Sequence, residues 1–428
     1  MTDASALDPT GGLRITPRAG VAGWSVDELV RPGLRRNPRR AHLWVSTVLG
    51  KHIPVAPSRI IGAAEALADH VATVVDAHGP MTVFGFAETA TGLGHCVARR
   101  LHAQVHLQST RRAVPAVPTT ARFVEGHSHA TDHLVQPTSR DLIPPSVPCV
   151  LVDDEISTGA TAIAAIAALQ PTVRASSWVV AALVDLRTET DRERCAAMAR
   201  EAGVAVDFVA LATGSAVVPP DLVDRVAALP DPLAPDTTGP AGTVTRTCID
   251  WPAEVPDSGR HGMLASETAA FDDALVPVVD AIAERLDPRR PVLVLGHEEF
   301  MYLPLRIGAA LEDRGRSVTS QTTTRSPAYV STHSGYPLRS GFAFTAPEPE
   351  SAAGVHGTRH LYNAAADDPA TQRVLVVDPP ADTAALAAPG GVADVLTAGG
   401  RDLLVVVAGG TSFDALARAR VDSGRVSA

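Results

Sequence analysis

Residues 149–161 read Cys-Val-Leu-Val-Asp-Asp-Glu-Ile-Ser-Thr-Gly-Ala-Thr, and no other window of the 428-residue chain constrains its fold so tightly. The four apolar residues make a short buried strand. Two carboxylates, Asp153 and Asp154, stand at its carboxyl end, and a hydroxyl-rich loop leads into an alanine-rich helix over residues 161–169. Such a β–loop–α unit belongs to an open α/β sheet, whose ligands bind at the carboxyl ends of the strands. Loop amides and a helix N-terminus suit a phosphate. A carboxylate pair suits sugar hydroxyls, or a magnesium ion beside them.

The rest of the chain follows the same grammar. In the first half a helical period covers residues 57–78, and strands cover 81–86, 103–108, 177–185 and 207–211. In the second half strands cover 291–295, 317–321, 373–377 and 402–408. Strands alternating with helices predict a parallel sheet in each half. Residues 230–243, dense in Pro, Gly and Asp, are the clearest linker. The expected organisation is a mobile N-terminus (1–20), a first α/β domain (21–229), a linker and connecting segment (230–262) and a second α/β domain (263–428). Residues 111–137 have no sustained period, and a loop that long inside a domain is functional or mobile.

The order of strand, acid pair and Thr-Gly-x-Thr loop resembles the PRPP-binding motif of type I phosphoribosyltransferases. The resemblance implies that Asp153 and Asp154 grip the ribose hydroxyls, with Mg2+ as the metal beside them, while Ser157, Thr158, Gly159, Ala160 and Thr161 cradle the 5′-phosphate. Family members often carry Gly or Lys where Ala160 stands, so here the loop must accept a Cβ. Members acting on 6-oxopurines often carry Asp where Ser157 stands, which puts this chain nearer the orotate-type pattern. By location, Ala87, Glu88 and Thr89 match the family's pyrophosphate loop. Arg111 and Arg112 follow the second strand, as basic residues do in the family. They are candidates to neutralise the leaving pyrophosphate, since arginine is always charged and binds phosphate as a fork. His127 and His129, with His133, lie in a segment whose counterpart closes over substrate in relatives of the orotate enzyme. They are candidates for a catalytic lid or for contact with metal or pyrophosphate. The implied reaction transfers phosphoribosyl from PRPP to a small-molecule acceptor, or runs in reverse.

In the second half, Thr324-Arg325-Ser326-Pro327 resembles the signature of the TRSP domain. That domain follows a phosphoribosyltransferase domain in proteins linked to bacterial tellurite-resistance and stress gene clusters. Glu298-Glu299-Phe300-Met301-Tyr302, Tyr336-Pro337-Leu338 and Tyr362-Asn363 support the likeness. It implies a nucleoside-like acceptor in a stress-linked biosynthetic pathway, with other enzymes of the same gene cluster among the partners. Glu298, Glu299, Thr324, Arg325, Ser326 and Asp378 each follow a predicted strand, so they are expected to line a pocket of the second domain. This domain reads as Rossmann-like or as a diverged copy of the first. An internal echo suggests the copy: Gly85-x-x-Glu88 with Gly296-x-x-Glu299, Thr110-Arg111 with Thr324-Arg325, and Val150-Leu151-Val152-Asp153 with Val374-Leu375-Val376-Val377-Asp378. Pro379-Pro380 stands where the phosphate loop would begin.

Composition narrows the partners. A net charge of −10 argues against broad binding to nucleic acid or anionic membrane. Lys51 is the single lysine, which leaves arginine nearly all the cationic work. Cysteines 96, 149, 195 and 248 are scattered without metal spacing, the pattern of a reducing, cytoplasmic compartment. The N-terminus lacks the pattern of a signal peptide, and no apolar run approaches the roughly 18 residues of a membrane span. A homodimer is among the assemblies to be considered. The competing functional class is a regulator that senses PRPP or a nucleotide without turnover; the basic pair and the lid-like histidines favour an enzyme.

Overall fold

The computed structural model describes residues 9–76, 78–114, 117–124, 132–230, 241–350, 355–364 and 370–425. Strand β1 (Arg14–Gly20) pairs antiparallel with a later strand, so residues 14–20 are an ordered sheet edge rather than part of a mobile tail. A hairpin follows, β2 (Val30–Leu34) and β3 (His42–Ser46). The helix Pro57–Val71 starts with proline at its first turn and buries Ile60, Ala63, Ala64, Leu67, Ala68 and Val71, one apolar stripe of helical period. Next come β4 (Thr82–Gly85), the helix Ala90–Arg100 and β5 (Val105–Gln108). The segment without sustained period holds a short antiparallel pair, β6 (Ala121–Val124) and β7 (Asp132–Val135). Strand β8 (Cys149–Ile156) runs past the acid pair, because Asp153 and Glu155 still pair with Ala182 and Val184. The helix Ala160–Val173, β9 (Trp178–Asp185), the helix Glu189–Glu201 and β10 (Val206–Val217) complete the half. Strand β9 is buried throughout, as a parallel strand covered on both faces must be.

The second half contains β11 (Val244–Cys248), β12 (Met263–Leu264), the helix Thr268–Ala283, β13 (Val292–Gly296), the helix Tyr302–Asp313 and β14 (Val318–Thr322). The pair β15 (Gly341–Thr345) and β16 (Thr358–Tyr362), then β17 (Gln372–Val377), β18 (Leu403–Val407) and the helix Phe413–Asp422 follow. Among the described residues no helix is long and apolar enough to cross a membrane.

The first sheet has the order β1-β10-β9-β8-β4-β5-β12, and the second β11-β18-β17-β13-β14. The parallel core β5-β4-β8-β9-β10 therefore matches β14-β13-β17-β18-β11 strand for strand. Only the last strand differs in origin: β10 follows its core in the chain, whereas β11 precedes it.

Each half also lends an edge to the other. Met263 in β12 pairs antiparallel with His106 in β5, and Gln108 N donates to Gly259 O at 3.0 Å. In the same way Val55 pairs antiparallel with Ser320 in β14, and Thr322 N donates to Gly50 O at 2.8 Å. Residues 244–262 thus serve both halves, since β11 joins the second sheet while the chain beyond it reaches the first. The junction is apolar: Leu67, Leu93, Phe271 and Leu303 belong to one continuous core. His95 stacks on Tyr302 with ring centroids 3.4 Å apart. Arg99 pairs with Asp272 at 2.5 Å across it. The carboxyl ends of β4, β5 and β8 consequently open toward the second half.

Candidate active site

Asp153 and Asp154 sit half-buried at the end of β8, and Asp154 N donates to Asp153 Oδ1 at 2.9 Å. The loop then turns at Gly159, whose φ of +77° lies in the left-handed region. A Cβ there would lie 2.6 Å from Cys195 Sγ and 3.0 Å from Arg187 Cδ, so this position requires glycine. Cys195 Sγ donates to Thr158 O at 3.2 Å and holds the loop from below. Ala160 is the first residue of the helix, an ordinary helical position, which is why its Cβ is accepted. Thr158 Oγ1 accepts from Ala160 N at 3.4 Å. The loop backbone thereby presents the N-terminus of a 14-residue helix, a fitting seat for a phosphate.

The loop after β4 faces this one. Its Ala87–Glu88 peptide is cis, and Ala87 N donates to Ser109 Oγ at 2.9 Å. Lys51 donates to Thr89 Oγ1. Glu88 is only 4% exposed. Burial pushes its carboxyl upward, but Lys51, Arg111, the Thr324 hydroxyl and Arg325 outweigh burial and hold it below the ordinary value. Its Oε1 has no hydrogen-bond partner among the described residues.

One cavity of about 970 Å³ joins these parts. Asp153, Asp154, Ser157, Thr158, Gly159 and Thr161 line one wall, and Ala87, Glu88, Thr89, Lys51, His52 and Arg111 another. Arg35, Asn37, Arg40, Leu43 and Trp44 from the β2–β3 hairpin and its turn form a hood over it. Thr324, Arg325, Ser326, Thr358 and Arg359 enter from the second domain. Arg40 is anchored to Glu155 at 2.5 Å, next to the acid pair.

Several expected site residues lie elsewhere. Arg112 does not line the cavity; its guanidinium binds Asp378 at 3.2–3.3 Å and lies 3.4 Å from Glu348. Glu298, Glu299 and Asp378 do not form a pocket of the second domain either. Glu298 pairs with Arg359 and, at 2.8 Å, with Arg325. Glu299 accepts from Arg111 N at 2.5 Å and Thr110 Oγ1 at 2.7 Å. The physical reason is burial: these three carboxylates are at most 3% exposed and need cationic or N–H partners. Thr324, Arg325 and Ser326 face the first domain's cavity instead. His127 and His129 lie outside the described residues. His133 is buried, stacks on Phe123 at 4.6 Å and lies 2.9 Å from Ser109 Oγ, so it supports the loop after β4 from below.

The hood residues, Lys51, His52 and Arg359 are not assigned to the site by the sequence, where Lys51 stands out only as the single lysine and Arg35 and Arg40 only as part of a basic run. A signal for two of them existed: Gly50-Lys51-His52 and Gly259-Arg260-His261 form a repeated Gly-basic-His string ahead of each half's edge exchange. As to metals, Asp153 and Asp154 offer an all-oxygen donor set on the cavity wall, which fits magnesium with water and phosphate as its other ligands. His297, Glu298 and Glu348 also cluster with donor atoms within 4.8 Å, but arginines already neutralise those carboxylates.

Fold and site together define a phosphoribosyltransferase-type domain, and the comparisons with known proteins agree. Residues 29–215 match the family model described as phosphoribosyl transferase. Residues 257–396 match the one described as TRSP domain C terminus to PRTase_2. The chain thus carries a phosphoribosyltransferase domain, that of an enzyme of the pentosyltransferase class, followed by a TRSP domain. No curated protein matches it. Among solved structures, adenine phosphoribosyltransferase from Rhodothermus marinus is similar at 22% identity and TM-score 0.31, over 43% of this chain and 94% of that one. The Trypanosoma brucei adenine phosphoribosyltransferase in complex with AMP, pyrophosphate and ribose-5-phosphate is similar at 14% identity and TM-score 0.34, over 46% and 86%.

Proposed function

We propose that the chain binds PRPP in this cavity and transfers its phosphoribosyl group to a small nucleophilic acceptor. The observation that carries the reading is the meeting, in one cavity, of the acid pair, the phosphate loop and the cation-ringed loop of Glu88. The 5′-phosphate sits on the amides and hydroxyls of Ser157–Thr161, and Asp153 and Asp154 accept hydrogen bonds from the ribose 2′- and 3′-hydroxyls. That seat leaves C1 directed between the hood and the Glu88 loop. The bond from C1 to pyrophosphate breaks as the acceptor's lone pair forms a new bond at C1. Negative charge grows on the pyrophosphate, which Lys51 and Arg111 stabilise. Magnesium held at Asp153 and Asp154 would supply further neutralisation of the phosphate charge. No protein nucleophile is required.

The hood of Arg35, Asn37, Arg40 and Trp44 receives the acceptor, with one aromatic face and several donors. The TRSP signature supports placing the reaction in a stress-linked pathway that builds a nucleoside-like metabolite in the cytoplasm. The test is release of pyrophosphate from PRPP by the full chain with magnesium, against a panel of nitrogen heterocycles and nucleoside-like acceptors. Release that depends on an acceptor is the expected result. A chain that neither binds PRPP nor releases pyrophosphate with any acceptor contradicts the reading.

A further inference from the structure

The two halves meet as two subunits would, and their contacts come in exchanged pairs. Gly85 lies opposite Gln108, as Gly296 lies opposite Thr322, which sets the equivalence of the two cores. In that register Ser109 N donates to Gly85 O at 3.0 Å, and Thr323 N to Gly296 O at 3.2 Å. Ala87 N donates to Ser109 Oγ at 2.9 Å, and Glu298 N to Thr323 Oγ1 at 3.1 Å. Each half then reaches into the other. Arg111 N donates to Glu299 at 2.5 Å, and its counterpart Arg325 N donates to Glu88 at 3.4 Å. Thr110 bonds Glu299, and its counterpart Thr324 bonds Glu88. Lys51 beside Glu88 corresponds to Arg260, 3.9 Å from Glu299.

Among these exchanged contacts the symmetry breaks at the position after the Thr-Arg pair. Arg112, from the first half, enters the second half's sheet edge and binds Asp378 and Glu348. The same register makes Ser326 its counterpart, and Ser326 enters the first half's site with a side chain too short to cross it. Its Oγ is buried on the cavity wall without a partner among the described residues. Beside it stands Arg359, 1% exposed, whose Nη2 also has no partner among the described residues although Nε and Nη1 are bound to Glu298 and Glu350. A buried, unpaired N–H group on a cavity wall accepts a ligand oxygen without giving up an existing bond. Both arginines stand by the Glu88 loop: Arg325 N donates to Glu88 at 3.4 Å, and the Glu88 carboxylate acts on the Arg359 guanidinium.

We propose that Arg325 and Arg359 of the second domain complete the pyrophosphate end of the first domain's site, while Arg112 seals the equivalent site in the second, so that each chain holds one PRPP. This rests on the PRPP reading above. It assigns the second domain the part of a fused subunit that donates cations in trans.

The test titrates the full chain, with magnesium present, with PRPP, inorganic pyrophosphate and ribose 5-phosphate by calorimetry. The variants are R325Q, at a partly exposed position, and R359K, which keeps the charge but loses the fork. PRPP and pyrophosphate should bind at least about tenfold more weakly in the variants, the loss expected for charge-assisted hydrogen bonds. Ribose 5-phosphate, held by the first domain alone, should bind as in the parent, and the parent should take up one PRPP per chain. Unchanged pyrophosphate and PRPP affinity in folded R325Q overturns the proposal, as does equal weakening of ribose 5-phosphate or uptake of two PRPP per chain. If R359K fails to fold, R325Q alone decides. A parent chain that binds neither PRPP nor ribose 5-phosphate refutes the PRPP reading itself, a distinct failure.

Discussion

At the end of β8, Asp153 and Asp154 face a cavity; at the same place in the second half, Val377 is buried in the core and Asp378 binds Arg112. The sheet order, the strand register and the exchanged edges are shared, so the fold alone does not decide which half binds a ligand. The residues just past the strand decide it. Ser157, Thr158 and Gly159 provide hydroxyls, amides and a left-handed turn, whereas Pro379 and Pro380 have no N–H to offer a phosphate. Once the second site has no ligand to hold, its carboxylates become the counterions of Arg112, Arg260, Arg325 and Arg359. The acid position that faces a cavity in one half therefore pairs with a buried arginine in the other.

The sharpest way to break this contrast is Asp378→Asn. It leaves Arg112 buried without its nearest partner, and breaking a buried pair costs about 3–5 kcal/mol. Chemical denaturation should show that loss, while the folded protein keeps its PRPP affinity. Loss of PRPP binding without loss of stability would mean that the second half holds ligand after all. Gly159→Ala comes next. The left-handed backbone costs about 1–2 kcal/mol for a residue with a Cβ, and the contact with Cys195 adds to it. PRPP and ribose 5-phosphate affinity should both fall by roughly tenfold, whereas Gly390→Ala, at a left-handed position of the second half, should leave both unchanged.

The smallest effect concerns acid. Burial pushes the Glu348 carboxyl upward, yet His297 and Arg112 outweigh burial and hold it at about 2, below the usual 4.5. A carboxyl depressed in the folded state adds stability above its unfolded value, and that stability is lost as pH falls toward the folded one. Between about pH 5 and about pH 3, the melting temperature should therefore drop less in Glu348→Gln than in the parent. Equal drops would remove Glu348 from the sealing network.

What could be read from the sequence follows from distance along the chain. The β8 unit was legible because strand, acid pair, loop and helix are contiguous, and the second-half strands were legible as apolar runs. The echo of Gly-x-x-Glu and Thr-Arg was also visible, although strand register aligns Asp378 with Asp154 rather than with Asp153. What stayed hidden depends on pairing between remote segments. Arg112 and Asp378 are 266 residues apart, and nothing local tells Arg112 from Arg111. Arg14–Gly20 is polar and exposed on nearly every residue, so it lacks the alternation that marks a half-buried strand, and only its pairing with β10 orders it. The expected second pocket failed for the same reason: its acids were visible, but the arginines that cover them come in part from the other half.

The most direct test of the account is a calorimetric titration of PRPP into the parent chain and into the double variant D153N/D154N. The parent should bind PRPP, and the double variant, folded by circular dichroism, should not. Unchanged PRPP affinity in the double variant would contradict it.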